Sequence, residues 1–242
     1  MIGTRKELKS LKQFSAGIRA GLPVCVGYFS VSFGFGAMAV SQGLSIFQAI
    51  LISASNLTSA GQFAGLTVIA AGSALVDMIL VQLVINSRYS LMSIALGQHI
   101  GSRAGAGKRL LMAFFNTDEV FALGMARKDL TASYFLGVGL ISAAGWILGT
   151  SLGAVAGTVL PLTVRLALGA MLYGMFIAIV IPQARQEKPM LACMILALVL
   201  SCLFTWIPAL QQISSGLAIV FCTVAAAAIC ALAFPLDEEA AS

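Results

Sequence analysis

Charged residues are scarce in this chain, and their scarcity excludes most soluble folds. Asp, Glu, Lys and Arg make up 10% of the 242 residues, whereas soluble domains carry about 25%. Hydrophobic residues make up 60%, which predicts an all-α, polytopic membrane helix bundle. The length allows about seven spans of roughly 20 residues. No hydrophilic stretch is long enough for a separate soluble domain, so we expect a basic leader at 1–18, one transmembrane domain at 19–235 and an acidic tail at 236–242.

Histidine clusters and paired cysteines are also missing, which argues against metal chemistry. His99 is the only histidine, and it lies at the end of an apolar segment rather than in a cluster of ligands. The five cysteines are scattered through apolar segments, as small buried side chains are. The net charge of +5 comes without a patch that mixes basic and aromatic residues. We therefore expect no metal, no cofactor and no nucleic-acid partner.

Basic residues in short polar segments indicate the orientation of the chain. Residues 1–19 contain five Lys or Arg and one acid, which places the N-terminus in the cytoplasm. The next run, Ala20–Val40, is too long and too rich in glycine for the core of a cleaved signal sequence, so we interpret it as a first span. Further full spans are expected at Leu75–Gln98, Ser133–Val159, Leu166–Ile181, Met190–Ile207 and Ile213–Phe234.

The segment Ile46–Ala71 begins and ends apolar, but small and polar residues interrupt its middle. A continuous helix accommodates such residues only by packing them against protein. A helix broken near Asn56–Gly61 exposes backbone groups, which is tolerated at membrane depth only where they line a cavity. The amides of Asn56 and Gln62 favour the break. Whether Ile46–Gln98 crosses as one tilted span with re-entrant pieces or as three short spans stays open.

Arg88 lies near the middle of the apolar run Leu75–Gln98, where an unpaired charge is costly. Asp77 shares its helical face but is about three turns away, which is too far for the two side chains to pair. Arg88 therefore needs an acid from another segment, and we expect a buried ion pair.

The segment Leu110–Ala126 carries four consecutive polar residues at its centre and basic residues at both ends. Both ends are therefore expected to be cytoplasmic, so the segment does not cross the membrane. We interpret it as a re-entrant pair of half-helices that meet at the polar turn. Thr117 or Asp118 is expected to cap the second half-helix and to satisfy its free N–H groups.

Four glycines in the segment Ser133–Val159 recur at every fourth position. This spacing places them along one side of a helix, where another backbone can approach closely. The pattern predicts tight packing against another helix of this chain or against a second subunit. The glycines are Gly145, Gly149, Gly153 and Gly157.

Four short motifs resemble those of the AzlC family, the large subunit of bacterial branched-chain amino acid exporters. They are Gly21-Leu-Pro23 with Phe33-Gly-Phe-Gly36, Ser59-Ala-Gly61-Gln62-Phe63, Ile85-Asn86-Ser-Arg88-Tyr89-Ser-Leu-Met92 and Thr117-Asp118-Glu119. The resemblance implies export of leucine, isoleucine, valine or another hydrophobic amino acid such as methionine across the bacterial inner membrane. It also implies a small membrane partner of the AzlD type. It covers most of the chain, although the part after Arg127 has little diagnostic pattern.

Secondary transporters hold substrate where discontinuous helices meet near the midplane of the membrane. We therefore expect the two breaks to line the site and Arg88 to bind either the substrate carboxylate or Asp118 or Glu119. The acid that is coupled to the proton gradient is expected to be Asp118 or Glu119, because apolar surroundings and Arg88 would tune its pKa. The predicted substrate-binding residues are Asn56, Ser59, Gln62, Asn86, Arg88, Tyr89, Asn116 and Thr117.

Three other interpretations compete with this site. The pair of Arg88 with Asp118 would serve only to fix the helix register if it had no substrate role. A passive pore or a purely structural subunit is allowed by the glycine pattern. An intramembrane enzyme with Ser59 as nucleophile is disfavoured, because a serine needs a base and His99 is followed by a glycine loop at a membrane edge.

Overall fold

A computed structural model describes residues 2–101, 104–161, 163–164, 177, 181, 184–185 and 187–234. The described part of the chain is all-helical, in agreement with the predicted fold class. Its helices are α1 (Ile2–Ser41), α2 (Ile46–Ser55), α3 (Ser59–Ala70), α4 (Leu75–Ile100), α5 (Ala106–Phe114), α6 (Asp118–Met125), α7 (Ala132–Val159), α8 (Lys188–Trp206) and α9 (Ser215–Ala233).

Five of the described helices are long and apolar enough to cross a membrane, namely α1, α4, α7, α8 and α9. The predicted spans in these regions are confirmed to within a few residues, although α1 extends towards the N-terminus as far as Ile2. The expected total of about seven spans is not confirmed. The predicted span Leu166–Ile181 lies almost entirely outside the described residues, and the acidic tail lies wholly outside them.

Local sequence signals explain where several helices begin. Ser45 and Gln48 form a capping box at the start of α2, in which each side chain bonds the backbone of the other residue. Thr131 and Ser214 accept hydrogen bonds from backbone N–H groups in the first turns of α7 and α9. Pro189 lies in the first turn of α8, where its missing N–H leaves no helical bond unmade.

The chain forms two compact units, and the predicted site residues belong to the first. Unit 1 comprises the described parts of Met1–Phe63 and Asn86–Leu172, and unit 2 those of Ala64–Ile85 and Tyr173–Ser242. In unit 2, α8 packs against α9, with the Phe204 and Phe221 rings 5.5 Å apart. Asp77 is buried in the first turn of α4 and packs against the start of α9 at Gly216.

The glycine stripe of α7 packs along α1. Of the two predicted partners, a helix of this chain or a second subunit, the structure therefore shows a helix of this chain. A Cβ added at Gly153 would lie 2.8 Å from the Cα of Phe33, and one added at Gly157 would lie 2.9 Å from the Cα of Ala37. Gly149 and Gly145 meet the backbone of α1 in the same way, one and two turns before Gly153. Side-chain-free positions thus let the two backbones touch, and this contact is the scaffold of unit 1.

We expect Gly153→Ala to destabilise the protein, because the added methyl group collides with the backbone of α1 rather than with a movable side chain. Overpacking of this kind costs about 1–3 kcal/mol. Gly27→Ala on α1 is the matched control, since nothing lies within 4 Å of its added Cβ. Thermal unfolding in detergent measures both variants. Equal unfolding temperatures for the two variants would contradict the packing of α7 on α1.

Candidate functional site

The predicted break in the first polar segment is confirmed and lies at residues 56–58, between α2 and α3. Asn56 ends α2, with its backbone N–H bonded to the carbonyl of Ile52. Its side-chain Oδ1 accepts a hydrogen bond of 3.0 Å from the backbone N–H of Thr58. The Asn56 amide therefore stabilises the turn itself, which is a role that the sequence did not predict for it.

The second break is also confirmed, at residues 115–117 between α5 and α6. Asn116 and Thr117 are both buried there. Thr117 occupies the N-cap position of α6, but its side chain makes no capping bond, so the expected side-chain cap is wrong for Thr117. Its hydroxyl instead forms a hydrogen bond of 2.7 Å with the hydroxyl of Tyr28 on α1.

Tyr28 is the central residue that sequence reasoning missed. Its hydroxyl hydrogen-bonds both Thr117 Oγ1 and the carboxylate of Glu119, although it comes from a different helix. Its ring packs edge to face on Trp146 of α7, with 5.2 Å between the ring centroids. A single tyrosine in an apolar helix gives no sequence signal, because its partners are some 90 and 120 residues away.

The two helix breaks meet at one group of buried side chains, here called the Tyr28–Trp146 cluster. Leu57 of the first break belongs to this cluster together with Tyr28, Trp146 and Ala143 of α7. Phe115 of the second break is partly buried and packs against the cluster. Segments that are about 60 residues apart in sequence therefore converge at one place in unit 1.

Arg88 and Asp118 form an ion pair, with 2.7 Å between Nη1 and Oδ2. Of the two acids that the sequence offered to Arg88, the structure pairs it with Asp118. This chain alone does not bury the pair as expected, because it leaves the two side chains 46% and 44% uncovered. Arg88 also lies over the ring of Tyr89, 5.1 Å from its centroid, and donates to its hydroxyl over 3.4 Å.

Gln62 belongs to a buried chain of hydrogen bonds that ties three helices together. Its Nε2 donates to Ser53 Oγ on α2 over 2.9 Å. Ser53 Oγ is in turn 2.7 Å from Thr150 Oγ1 on α7. All three side chains are buried, so the chain fixes both sides of the first break to α7.

We expect Thr150→Val to destabilise the protein by about 1–3 kcal/mol, since it leaves Ser53 without one of its buried partners. The isosteric change keeps the packing volume. Thr158→Val is the control, because Thr158 is exposed and bonds only a carbonyl of its own helix. Denaturation in detergent measures the difference. A loss of unfolding free energy no larger than that of the control would show that the Ser53–Thr150 hydrogen bond does not stabilise the protein.

Several buried polar atoms near the two breaks have no hydrogen-bond partner within the described structure. Such an atom costs about 1–3 kcal/mol unless a ligand or water satisfies it. Two of these atoms lie on the breaks, one lies on α3 just after the first break, and one is a donor on the cluster. They are Thr58 Oγ1, Gln62 Oε1, Asn116 Oδ1 and Trp146 Nε1.

The remaining predicted residues lie in the same unit. Ser59 begins α3, and Asn86 precedes Arg88 by two residues on α4, and both side chains are half-buried. The Asn116 amide donates to Ser93 Oγ over 3.2 Å, which joins the second break to α4. Ser93 and Trp146, like Tyr28, were absent from the predicted set.

A cavity of about 830 Å³ lies within unit 2, beside the turn between α8 and α9. Among the described residues, its lining includes Ser73, Gln211 and Thr223 but no charged side chain. The described lining therefore offers no ionic partner to a charged or zwitterionic molecule. The charged residues of the described site all belong to unit 1.

Comparison with known proteins agrees with the resemblance in the motifs. Residues 23–160, which include every predicted site residue, match the model of the AzlC protein family. The inner membrane protein YgaZ of Escherichia coli (strain K12) is 30% identical over 195 residues, which are 77% of this chain and 78% of that protein. An uncharacterized membrane protein of Archaeoglobus fulgidus is 29% identical over 180 residues, 74% of this chain and 79% of that protein. No solved structure matches. The chain is a membrane protein and belongs to the AzlC family.

Proposed function

We propose that this chain exports branched-chain or other hydrophobic amino acids across the bacterial inner membrane, coupled to the proton gradient. The observation that carries the proposal is the convergence of two helix breaks on the Tyr28–Trp146 cluster, beside an ion pair. Discontinuous helices supply free backbone groups that bind the charged ends of a substrate. The N-terminus is placed in the cytoplasm on the charge distribution given above.

The unsatisfied polar atoms support an amino acid as the substrate. Asn116 Oδ1 and Gln62 Oε1 are acceptors suited to an ammonium group. Trp146 Nε1 is a donor suited to a carboxylate, and Arg88 is a second such group. A zwitterion would thus find partners of both kinds on the elements that form the site.

A mostly apolar cavity of about 220 Å³ between α4 and α5 supports a hydrophobic side chain on that substrate. Leu96, Ile100 and Met112 line it, together with Ser93 and the charged residue Arg109. Because Ser93 also bonds the Asn116 amide, the cavity adjoins the second break. In this arrangement the cavity selects the side chain and the breaks bind the substrate backbone.

The ion pair supports a mechanism with two states. In the empty state Asp118 forms an ion pair with Arg88. In the loaded state the substrate carboxylate replaces Asp118 as the partner of the guanidinium. An acid released in this way can bind a proton, so Asp118 or the adjacent Glu119 links export to the proton gradient. Half-exposed side chains suit such an exchange, because both partners remain accessible.

The family resemblance adds a small AzlD-type membrane subunit as a partner. Apolar side chains on α4, among them Leu83, Leu91 and Ile94, are exposed and suit lipid or another membrane helix.

No catalytic role is proposed. The nitrogen Nε2 of His99 lies 2.9 Å from the carbonyl oxygen of Arg127, so the single histidine already has a backbone partner.

Counterflow of labelled leucine, methionine and valine into proteoliposomes tests the proposal, with and without a co-purifying small membrane protein. We expect saturable counterflow, and accumulation that responds to an imposed pH gradient. Non-saturable flux would favour the passive pore instead. The absence of flux both with and without the partner would favour a structural subunit.

A further inference from the structure

Asp118 and Glu119 are neighbours in sequence, but they have different partners. Asp118 faces the guanidinium of Arg88, 2.7 Å away. Glu119 faces the neutral hydroxyl of Tyr28. In the empty state, a proton on Asp118 would leave the guanidinium without its counter-charge, whereas a proton on Glu119 leaves no cation unpaired. In that state Glu119 is therefore the acid that can be neutralised without breaking an ion pair.

The Tyr28 hydroxyl has one proton and two hydrogen-bond partners. It therefore cannot donate to Glu119 and to Thr117 at the same time. When Glu119 is ionised, Tyr28 donates to the carboxylate and accepts from the Thr117 hydroxyl. When Glu119 takes a proton from water, its new O–H donates to Tyr28, whose own proton turns towards Thr117. The proton later returns from Glu119 to water, and Tyr28 keeps its proton throughout.

The position of Tyr28 lets this reversal reach both helix breaks. Thr117 is part of the second break, at the N-cap of α6. The ring of Tyr28 packs on Trp146, in the buried cluster that also contains Leu57 of the first break. Among the residues that the structure describes, the other titratable or charged groups near Glu119 are Asp118 beside it and Tyr89 on α4, with Arg88 paired to Asp118.

We propose that Glu119 carries the coupled proton and that Tyr28 is the positioning residue that transmits the charge state of Glu119 to the two helix breaks, while Asp118 serves as the counter-ion of Arg88. This assignment rests on the proposed export function, and it separates two acids that the sequence left equivalent. Tyr28 acts through Glu119 and Trp146, and its own hydroxyl stays neutral.

Paired transport assays on the full chain in proteoliposomes test the assignment. Counterflow of labelled leucine needs no gradient, whereas accumulation driven by a pH gradient needs the coupled proton. We expect Glu119→Gln to lower driven accumulation about tenfold more than it lowers counterflow. Glu7→Gln is the matched control, since Glu7 is exposed near the N-terminal end of α1.

Tyr28→Phe keeps the ring on Trp146 and removes only the hydroxyl. Ionised Glu119 then loses a charge-assisted hydrogen bond and protonated Glu119 loses a weaker one, so we expect the midpoint of driven flux to move to higher pH. Tyr134→Phe on α7 is the control for the same chemical change. A Tyr28→Phe profile that coincides with that of the control would overturn the role of Tyr28. Loss of the gradient response in Asp118→Asn but not in Glu119→Gln would overturn the role of Glu119.

Infrared difference spectra during a pH titration give a readout that is independent of transport. We expect a protonated-carboxyl band that disappears in Glu119→Gln and titrates at a higher pH in Tyr28→Phe. A band that persists in Glu119→Gln and is lost in Asp118→Asn would contradict the assignment. Wild-type protein that fails to move leucine, but shows this band, would contradict the proposed export function alone.

Discussion

Exchanging the charges of the Arg88–Asp118 pair is expected to restore folding but not export. Arg88→Glu alone would put two carboxylates where the structure has an ion pair with 2.7 Å between Nη1 and Oδ2, so both stability and flux should fall. The double variant Arg88→Glu with Asp118→Arg regains an attractive pair on the same two helices. If the pair only fixed the register, leucine flux would recover together with stability.

The substrate role makes a different prediction for the double variant. In the double variant the guanidinium is attached to α6 instead of α4, so it no longer lies where it can bind the substrate carboxylate. We expect export to stay about a hundredfold below wild type, which corresponds to the loss of about 2.7 kcal/mol of binding. Counterflow of labelled leucine and thermal unfolding in detergent measure the two quantities on the same preparations.

Lys128→Glu is the matched charge reversal, because Lys128 is exposed outside the described site. It should leave both unfolding temperature and flux close to wild type. If the double variant exports within twofold of wild type, the pair is structural and Arg88 does not bind substrate. If Lys128→Glu lowers flux as strongly as Arg88→Glu, the loss reflects net charge rather than the pair.

The two helix breaks could be predicted because their sequences conflict with a continuous helix in lipid. Asn56 and Asn116 bring amides to membrane depth, where each polar group needs a partner. The structure confirms both interruptions within the predicted segments. The same reasoning located the glycine stripe of α7 but not its partner, since close packing requires only that some backbone be near.

The contacts of the site could not be read from the sequence for a geometric reason. Tyr28 meets Thr117 and Trp146 only because the stripe brings α1 against α7 and the second break lies alongside them. Thr117 was assigned to a local cap, but a hydroxyl from another helix forms its hydrogen bond instead. The exposure of Arg88 was misjudged because depth along a helix does not specify which face is covered.

Asn116→Leu is expected to raise the KM for leucine by about 10- to 100-fold while leaving stability nearly unchanged. Asn116 Oδ1 is buried and has no partner, and Nδ2 makes one bond of 3.2 Å to Ser93. Replacing a poorly satisfied polar group by an apolar one of similar shape is nearly neutral for the empty protein. An ammonium group that loses an acceptor, in contrast, loses about 1.5–3 kcal/mol.

Asn116→Leu is informative because it is expected to lower the affinity for leucine without lowering the stability of the protein. A residue that only supports the turn would lower the unfolding temperature when replaced and would change the maximal rate through loss of folded protein. Ser93→Ala separates the two contacts, since it removes the bond to Nδ2 and leaves Oδ1 in place. A KM that rises as much in Ser93→Ala as in Asn116→Leu would mean that Asn116 acts by joining the second break to α4 through Ser93 and not by binding substrate. A KM unchanged in both variants would exclude the second break from the substrate site.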